Sequence, residues 1–308
     1  LTSWLDVHLG RKSRSVDHAL TAAQPDREPA RVRRGDVVLD IRDLGVKFGG
    51  VHAVDGASLT ARAGEVTGLI GPNGAGKTTT FNVCSGLVKP DRGQVVIAGI
   101  DISRRGPARR ARTGLGRTFQ QMQLFEGLTV WDNVALGAEA AAAGHNPLTH
   151  LVASPADSRM VRRRTAEALR LCELGDFVDT PVSQLSTGQR RLVDLARCLA
   201  GEYAVLLLDE PSSGLDQAET DRFAATLRRV VEERGIGVVL VEHNLSLVLE
   251  LCSSIYVLDF GKLLFSGTPD EVAASPVVQA AYLGDSAALN AVSDAESDAS
   301  ADLLGVVQ

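Results

Sequence analysis

The chain has 308 residues, 44% of them hydrophobic and 23% charged, with a net charge of −6. That length and balance describe a globular chain with a substantial core, and the acidic balance leaves no global field that would draw it to nucleic acid or an anionic membrane. No apolar run approaches the about 18 residues of a membrane-spanning helix.

Taken in chain order, residues 1–36 are basic, with Arg11, Lys12, Arg14, Arg27, Arg31, Arg33 and Arg34, and show little apolar periodicity. They read as a disordered extension, a linker from an upstream domain, or a basic arm near lipid headgroups. The first residue, Leu1, fits either a non-standard start codon or a chain cut from a longer one. Residues 37–65 read as β structure, with Val37–Ile41 alternating imperfectly and Gly49, Gly50 and Gly64 marking turns. The apolar run Val66–Ile70 predicts a strand, and no helix breaker follows Lys77 until Gly86. Val95–Ile97 predicts another strand.

From about Thr118 to Gly201 the pattern is helix-rich, clearest over Ala135–Ala143 and Ser158–Leu174. Strand signals return at Ala204–Leu208, Gly237–Val241 and Ile255–Leu258, and the first two are separated by a helical pattern. Strands alternating with helices indicate a mostly parallel sheet covered on both faces. Thr268-Pro269-Asp270-Glu271 has capping-box spacing with proline at the first helical position, so a short helix opens there. Residues 286–308 mix Asp294, Glu296, Asp298 and Asp302 with alanine and serine and read as an acidic disordered tail. The cysteines, Cys84, Cys172, Cys198 and Cys252, are far apart among apolar neighbours, which predicts buried free thiols and no zinc site.

Three motifs carry chemistry. Gly71-Pro72-Asn73-Gly74-Ala75-Gly76-Lys77-Thr78 completes a G-x-x-x-x-G-K-[ST] phosphate loop between a predicted strand and a predicted helix. Its glycines let backbone amides turn toward phosphates, Lys77 reaches the β- and γ-phosphates, and the Thr78 hydroxyl is placed to ligate Mg²⁺. Leu206–Glu210 is an apolar strand ending in two carboxylates. Asp209 is suited to hold Mg²⁺ directly or through water, and Glu210 to polarise a water for in-line attack. Leu185-Ser186-Thr187-Gly188-Gln189 spaces Ser186 and Gln189 as a capping box, ahead of an apolar stripe at Leu192, Leu195, Ala196 and Leu199. A simple cap uses the same residues, but the position just before the acidic strand favours a second phosphate-binding helix terminus.

The order of phosphate loop, Gln120, Leu185–Gln189, Asp209-Glu210, Ser213–Asp216 and His243 resembles the ATP-binding subunit of an ABC transporter, over about residues 37–285. The resemblance implies a P-loop NTPase (RecA-like) α/β core with a parallel sheet, an N-terminal antiparallel β subdomain, and an inserted α-helical subdomain over about 118–203. It implies ATP and Mg²⁺ as ligands, and head-to-tail pairing with a second cassette, identical or paralogous. ATP then lies between the loop residues Asn73, Gly74, Ala75, Gly76, Lys77, Thr78 and Thr79 of one cassette and Ser186, Gly188 and Gln189 of the other. Phe48 matches the aromatic that stacks on adenine, Gln120 the glutamine that contacts Mg²⁺ and water and reports to the permease, and Asp216 the loop crossing the dimer interface. His243 matches the histidine at the γ-phosphate beside Glu210, and it follows an apolar strand that delivers it to the same edge. Thr187 stands where the family more often has glycine.

Further segments are more particular. Arg117-Thr118-Phe119-Gln120 with Leu124-Phe125, Leu128-Thr129-Val130 and Asn133, then Val241–Leu245, Gly267–Val272 and Ala281–Gly284, resemble the subunits that energise branched-chain amino acid importers and related amide or urea importers. That resemblance implies transmembrane permease partners at the cytoplasmic face of the cell membrane and, indirectly, a solute-binding protein, with no nucleic acid. Leu124, Phe125 and Trp131 fall where the family forms its permease groove, with an exposed aromatic as anchor. Arg104, Arg105, Arg109, Arg110 and Arg112 read as a solvated helix face. The alternatives are a soluble ABC-type ATPase of DNA repair or translation and the ATPase of a lipid or lipopolysaccharide exporter. Against the first, the 109 residues separating Lys77 from Ser186 leave no room for a long coiled coil, and there is one phosphate loop and no zinc pattern.

Overall fold

The computed structural model describes residues 33–143 and 155–283. The readings for residues 1–32 and 284–308 lie outside the described residues.

Two sheets organise the described chain. The first is antiparallel, with strand order β2-β1-β4-β5, built from β1 (Val37–Phe48), β2 (Val51–Arg62), β4 (Arg92–Ile97) and β5 (Ile100–Asp101). Its long hairpin pairs Val46 with Val54, and β1 pairs Ile41 with Val95. The second sheet has the order β10-β9-β3-β8-β7-β6, from β3 (Val66–Ile70), β6 (Leu115–Arg117), β7 (Val205–Asp209), β8 (Gly237–Val241), β9 (Ser254–Asp259) and β10 (Lys262–Gly267). Five of these strands run parallel and β10 joins β9 antiparallel.

Strands β3, β7 and β8 are buried at every position, which is why they read as continuous apolar runs instead of alternating ones. Their period of two divides the core. Leu206, Leu208, Val238 and Leu240 face the helical side, while Val205, Leu207, Val239 and Val241 face the antiparallel sheet and the phosphate-loop helix. The parallel sheet is therefore sandwiched between a β layer and a helical layer.

The helices are α1 (Lys77–Ser85), α2 (Pro107–Thr113), α3 (Val130–Ala143), α4 (Pro155–Leu171), α5 (Thr187–Leu199), α6 (Gln217–Arg234), α7 (Leu245–Leu251), α8 (Pro269–Ala273) and α9 (Pro276–Leu283). Helix α1 ends where expected, at Gly86 in the left-handed region. The capping boxes at Ser186 and Thr268 both form. The helix-rich stretch begins at Val130, twelve residues later than Thr118, and α4 stops at Leu171, short of Leu174. Helices α3, α4 and α5 pack on one another, and Asn133, fully buried, pins the loop before α3 by donating to Phe125 O and Thr129 O, each at 3.0 Å.

One arginine departs from the solvated face. Arg104, Arg105, Arg109 and Arg112 are exposed, but Arg110 is buried and donates to the carbonyls of Ser103, Arg105, Val83 and Cys84. Those carbonyls lie at the end of α1 and in the turn before α2, where a fork of donors meets acceptors that lack helical partners. The four cysteines are free. Cys84, Cys172 and Cys252 are buried and Cys198 half-buried, and burial pushes each thiol up to about 12.

Candidate nucleotide site

Four neighbouring parallel strands deliver the site from their C-terminal ends. β3 runs into the phosphate loop, β8 into His243, β7 ends in Asp209, and β6 leads through Arg117 to Gln120. Register makes these ends level: Leu69 and Asp209 both pair with Val241, and Arg117 pairs with Leu207. Ligands bind at this edge of open parallel sheets because strand ends and helix starts present polar groups there together.

The phosphate loop folds back on itself. Gly71 and Gly76 have φ of 148° and 100°, and a side chain at Gly71 would collide with Leu258 O, at Gly76 with Ala53 O. Both positions therefore require glycine. Lys77 is buried and its ammonium donates to Gly71 O at 2.6 Å and Pro72 O at 2.9 Å. Ala75 ties the loop to the β9–β10 turn by accepting from Gly261 N at 3.1 Å. Asn73, Gly74 and Thr78 are exposed, and Thr79 is half-buried one residue further along α1. Helix α1 opens with no side-chain cap and no acid in its first turn, so its N-terminal amides and positive dipole end suit a phosphate.

Glu210, Gln120 and His243 converge. Gln120 Nε2 donates to Glu210 Oε2 at 2.8 Å, and His243 Nε2 lies 2.6 Å from Glu210 Oε1. Glu210 has φ of 48°, an uncommon conformation for a non-glycine residue. Its backbone is held there by donating to Val241 O at 2.9 Å and accepting from Ser213 N at 3.1 Å. The result is a carboxylate at the strand edge, fixed on both oxygens, able to orient and deprotonate a water.

Beside it, Asp209 is 5% exposed. Burial pushes its carboxyl above the usual carboxylate range, and Arg117 pulls the other way. Among the described residues no three His, Cys, Asp or Glu side chains converge into a metal cage. The exposed Thr78 hydroxyl and the Asp209 carboxylate are hard oxygen donors that suit Mg²⁺, which takes one or two protein oxygens and completes its shell from nucleotide phosphates and water.

The second group sits at the tips of α5 and α6. Ser186 caps α5, and Gln189 reaches back to accept from Ser186 N at 2.9 Å. Asp216 caps α6, in a further capping box with Glu219. Glu219 joins the two tips, accepting from Ser186 Oγ at 3.0 Å and Gly188 N at 3.1 Å. Thr187 lies near Gly214. The structure thus gathers the candidate residues into an edge group and a tip group. Phe48 lies at the end of β1 and is 54% exposed, so its ring is a free face and not core packing. Of the candidate groove residues, Phe125 is exposed, while Leu124 and Trp131 pack against the helix-side core.

Several residues joining these groups escaped the motif reading. Arg191 on α5 is buried and donates to Gln120 O at 3.1 Å and Ser213 O at 3.2 Å. Glu242, whose carboxyl burial pushes up, accepts from Ser212 N at 2.8 Å. Arg117 and Glu219 complete the set. Of these, Arg117 and Glu242 fell within segments that carry the family resemblance, with no role assigned to either, and Glu219 had its capping-box spacing from Asp216.

Comparison with known proteins agrees with this geometry. Residues 54–213 match the ABC transporter family model, and residues 262–288 match the model for the branched-chain amino acid ATP-binding cassette transporter. The chain is 36% identical over 251 residues to the high-affinity branched-chain amino acid transport ATP-binding protein BraF of Pseudomonas aeruginosa, covering 80% of this chain and 98% of that one. It is 38% identical over 228 residues to the lipopolysaccharide export system ATP-binding protein LptB of Acidithiobacillus ferridurans, covering 74% and 89%. The fold superposes on the ADP conformation of MJ1267, an ATP-binding cassette of an ABC transporter, with a TM-score of 0.71 and 30% identity over 81% of this chain and 99% of that one. The chain belongs to the ABC transporter ATP-binding family and is an ATP-hydrolysing transporter subunit of P-loop NTPase fold.

Proposed function

We propose that this subunit energises import of branched-chain amino acids or a closely related small solute, as one of two cassettes seated at the cytoplasmic face of the membrane beneath permease subunits. Support for the solute class comes from the match at residues 262–288 and from the likeness to BraF over nearly its whole length. Similarity to LptB is of the same order. No helix among the described residues is long and apolar enough to cross a membrane, so transport requires partners that do. A solute-binding protein completes the import reading.

The residue roles follow from the edge and tip groups. Phe48 stacks on adenine. Asn73–Thr79 wrap the phosphates, Lys77 exchanging its loop carbonyls for phosphate oxygens. Thr78, Gln120 and Asp209 would hold Mg²⁺, which would supply charge neutralisation to the phosphates. Ser186, Gly188 and Gln189 of one cassette receive the γ-phosphate bound to the other, with Asp216 beside them. Because both cassettes contact that phosphate only when closed, ATP favours the closed pair.

Glu210 takes a proton from water as its oxygen attacks the γ-phosphorus. The bond to the ADP oxygen breaks, phosphate departs, and the link between cassettes is lost. Gln120 and His243 hold Glu210 in line. The observation that carries this reading is their convergence on its two oxygens.

Glu210→Gln tests it. ATP hydrolysis is expected to fall by about 10²-fold or more, while ATP binding persists and closed pairs accumulate by size-exclusion chromatography. Near-normal hydrolysis in this variant removes Glu210 from its role. Purification of the same variant from membranes with ATP, followed by mass spectrometry, is expected to recover an amino acid permease. Recovery of lipopolysaccharide-export components would replace the import reading.

A further inference from the structure

Arg117, the last residue of β6, has a side chain that is 7% exposed and reaches three elements at once. Its Nη1 donates to Asn82 Oδ1 at 2.8 Å and Ser85 Oγ at 2.7 Å, both on α1. Its Nη2 donates to Asp209 Oδ2 at 3.0 Å. Its guanidinium carbon lies 5.7 Å from the centroid of the Phe81 ring and 5.0 Å from that of Phe119. Phe119 immediately precedes Gln120, and Arg117 and Phe119 together line a groove of about 350 Å³, shared with Leu136, Asp194, Arg197 and Tyr203.

A rigid planar fork held at α1 and lying over two aromatic rings has little freedom to rotate. The carboxylate it grips is fixed with it: one oxygen of Asp209 is engaged by Arg117, and the other is left for a cation. A carboxylate without that grip, at the end of a buried strand, would turn toward whatever donor lay nearest. Partners of this kind behind a metal-binding side chain set metal affinity through its orientation.

We propose that Arg117 is the positioning residue for Asp209, clamping one carboxylate oxygen so that the other is presented to the divalent cation of the nucleotide, and that it ties this orientation through Phe119 to the loop bearing Gln120. The inference rests on the assignment of Asp209 as a cation-holding residue. It adds that metal affinity in this subunit depends on a residue that touches neither metal nor nucleotide. It also places a physical link between the groove and the metal-binding carboxylate.

The test uses the full chain in the Glu210→Gln background, where turnover is expected to be about 10²-fold slower. ATP affinity is measured in EDTA, and Mn²⁺ affinity of the protein–ATP complex by electron paramagnetic resonance. Arg117→Met, which keeps bulk and removes donors, is expected to weaken Mn²⁺ binding by about tenfold with ATP affinity in EDTA unchanged. Arg117→Lys keeps the charge and one donor and is expected to lie between, at about threefold weaker. Unchanged or tighter Mn²⁺ binding in a folded Arg117→Met overturns the proposal. If that variant does not fold, unchanged Mn²⁺ binding in Arg117→Lys overturns it instead. Asp209→Asn separates the two levels. If it leaves Mn²⁺ affinity intact, the assignment of Asp209 fails. If it weakens Mn²⁺ while Arg117→Met does not, Asp209 stands and Arg117 is structural only.

Discussion

The edge group and the tip group both suit phosphate chemistry, but they are held by different physics. At the edge, side chains hang from strand ends whose neighbours are buried on both faces, and Glu210 keeps a positive φ because Val241 and Ser213 fix its backbone. Asp209 and Glu242 are buried acids whose carboxyls burial pushes up. At the tips, Ser186, Asp216 and Glu219 make reciprocal caps at the outer ends of two helices. Their contacts are local and exchangeable, since a carboxylate on Ser186 Oγ and Gly188 N occupies donors that a phosphate could also use. A protein that must open and close needs this division: a fixed edge to do chemistry, and a tip that can change partners.

If that division holds, substituting an exposed side chain of the edge costs activity far more than stability, and substituting a buried one beneath it costs stability first. His243→Ala is expected to lower kcat by about 10²-fold with little change in ATP affinity or melting temperature, since the side chain is 46% exposed. Steady-state kinetics and a thermal melt check both. A large loss of stability with intact kcat would make His243 a structural residue and erase the contrast. Glu242→Ala touches the same edge from beneath. It removes the acceptor for Ser212 N and His243 N, so the expected cost is about 2 kcal/mol of stability by urea denaturation, with a secondary loss of activity as the Glu210–Ser213 turn loosens.

A pH experiment asks whether the cores beneath both groups are equally dry. Cys84 lies in the core under the phosphate loop, and Cys172 and Cys252 lie on the helix side. Burial raises each thiol from 9.0 to about 12. A group whose folded pKa is raised holds more protons folded than unfolded between those values, so stability is complete below about pH 9 and declines as pH climbs toward 12. Urea midpoints at increasing pH are expected to fall across that window. Replacing Cys84 or Cys172 with alanine is expected to lessen the fall by a comparable amount. A fall carried by one side alone would show that the other core admits water.

How far the molecule could be read from its sequence follows the same line. The phosphate loop and Asp209-Glu210 were legible because each is a short local motif placed by a strand that is itself an apolar run, and His243 was reached through the order of motifs that carries the family resemblance. What escaped were residues whose meaning is tertiary. Arg117 meets Asp209 across 92 positions and Arg191 meets Gln120 across 71, and nothing local announces either contact. Arg110 looked like its neighbours in a basic helix, and only the carbonyls of Val83 and Cys84 show why it is buried. The strand β6, three residues long around Gly116, is too short for periodicity to register. Asp216 and Glu219 are the opposite case: their capping-box spacing was readable, but the reach of Glu219 to α5 was not.

The smallest expected effect tests the tip most directly. Glu219 completes the α6 capping box and also sits against the start of α5, where the dipole favours its negative charge. Glu219→Ala removes both contributions but leaves Asp216 as the α6 cap and the Ser186–Gln189 pair as the α5 cap. The loss should be about 1 kcal/mol, which in a chain of this size lowers the melting temperature by about 2–4 °C. Glu219→Gln keeps the acceptor oxygen and removes the charge, so it should recover part of that loss at low salt. Comparison of the two variants at low and high ionic strength separates charge from hydrogen bonding, because the exposed charge contribution is screened and the amide contribution is not. A drop several times larger for Glu219→Ala would mean that the tips are as rigidly built as the strand edge. The exchange of a carboxylate for a phosphate at Ser186 would then demand more than a local change of partners.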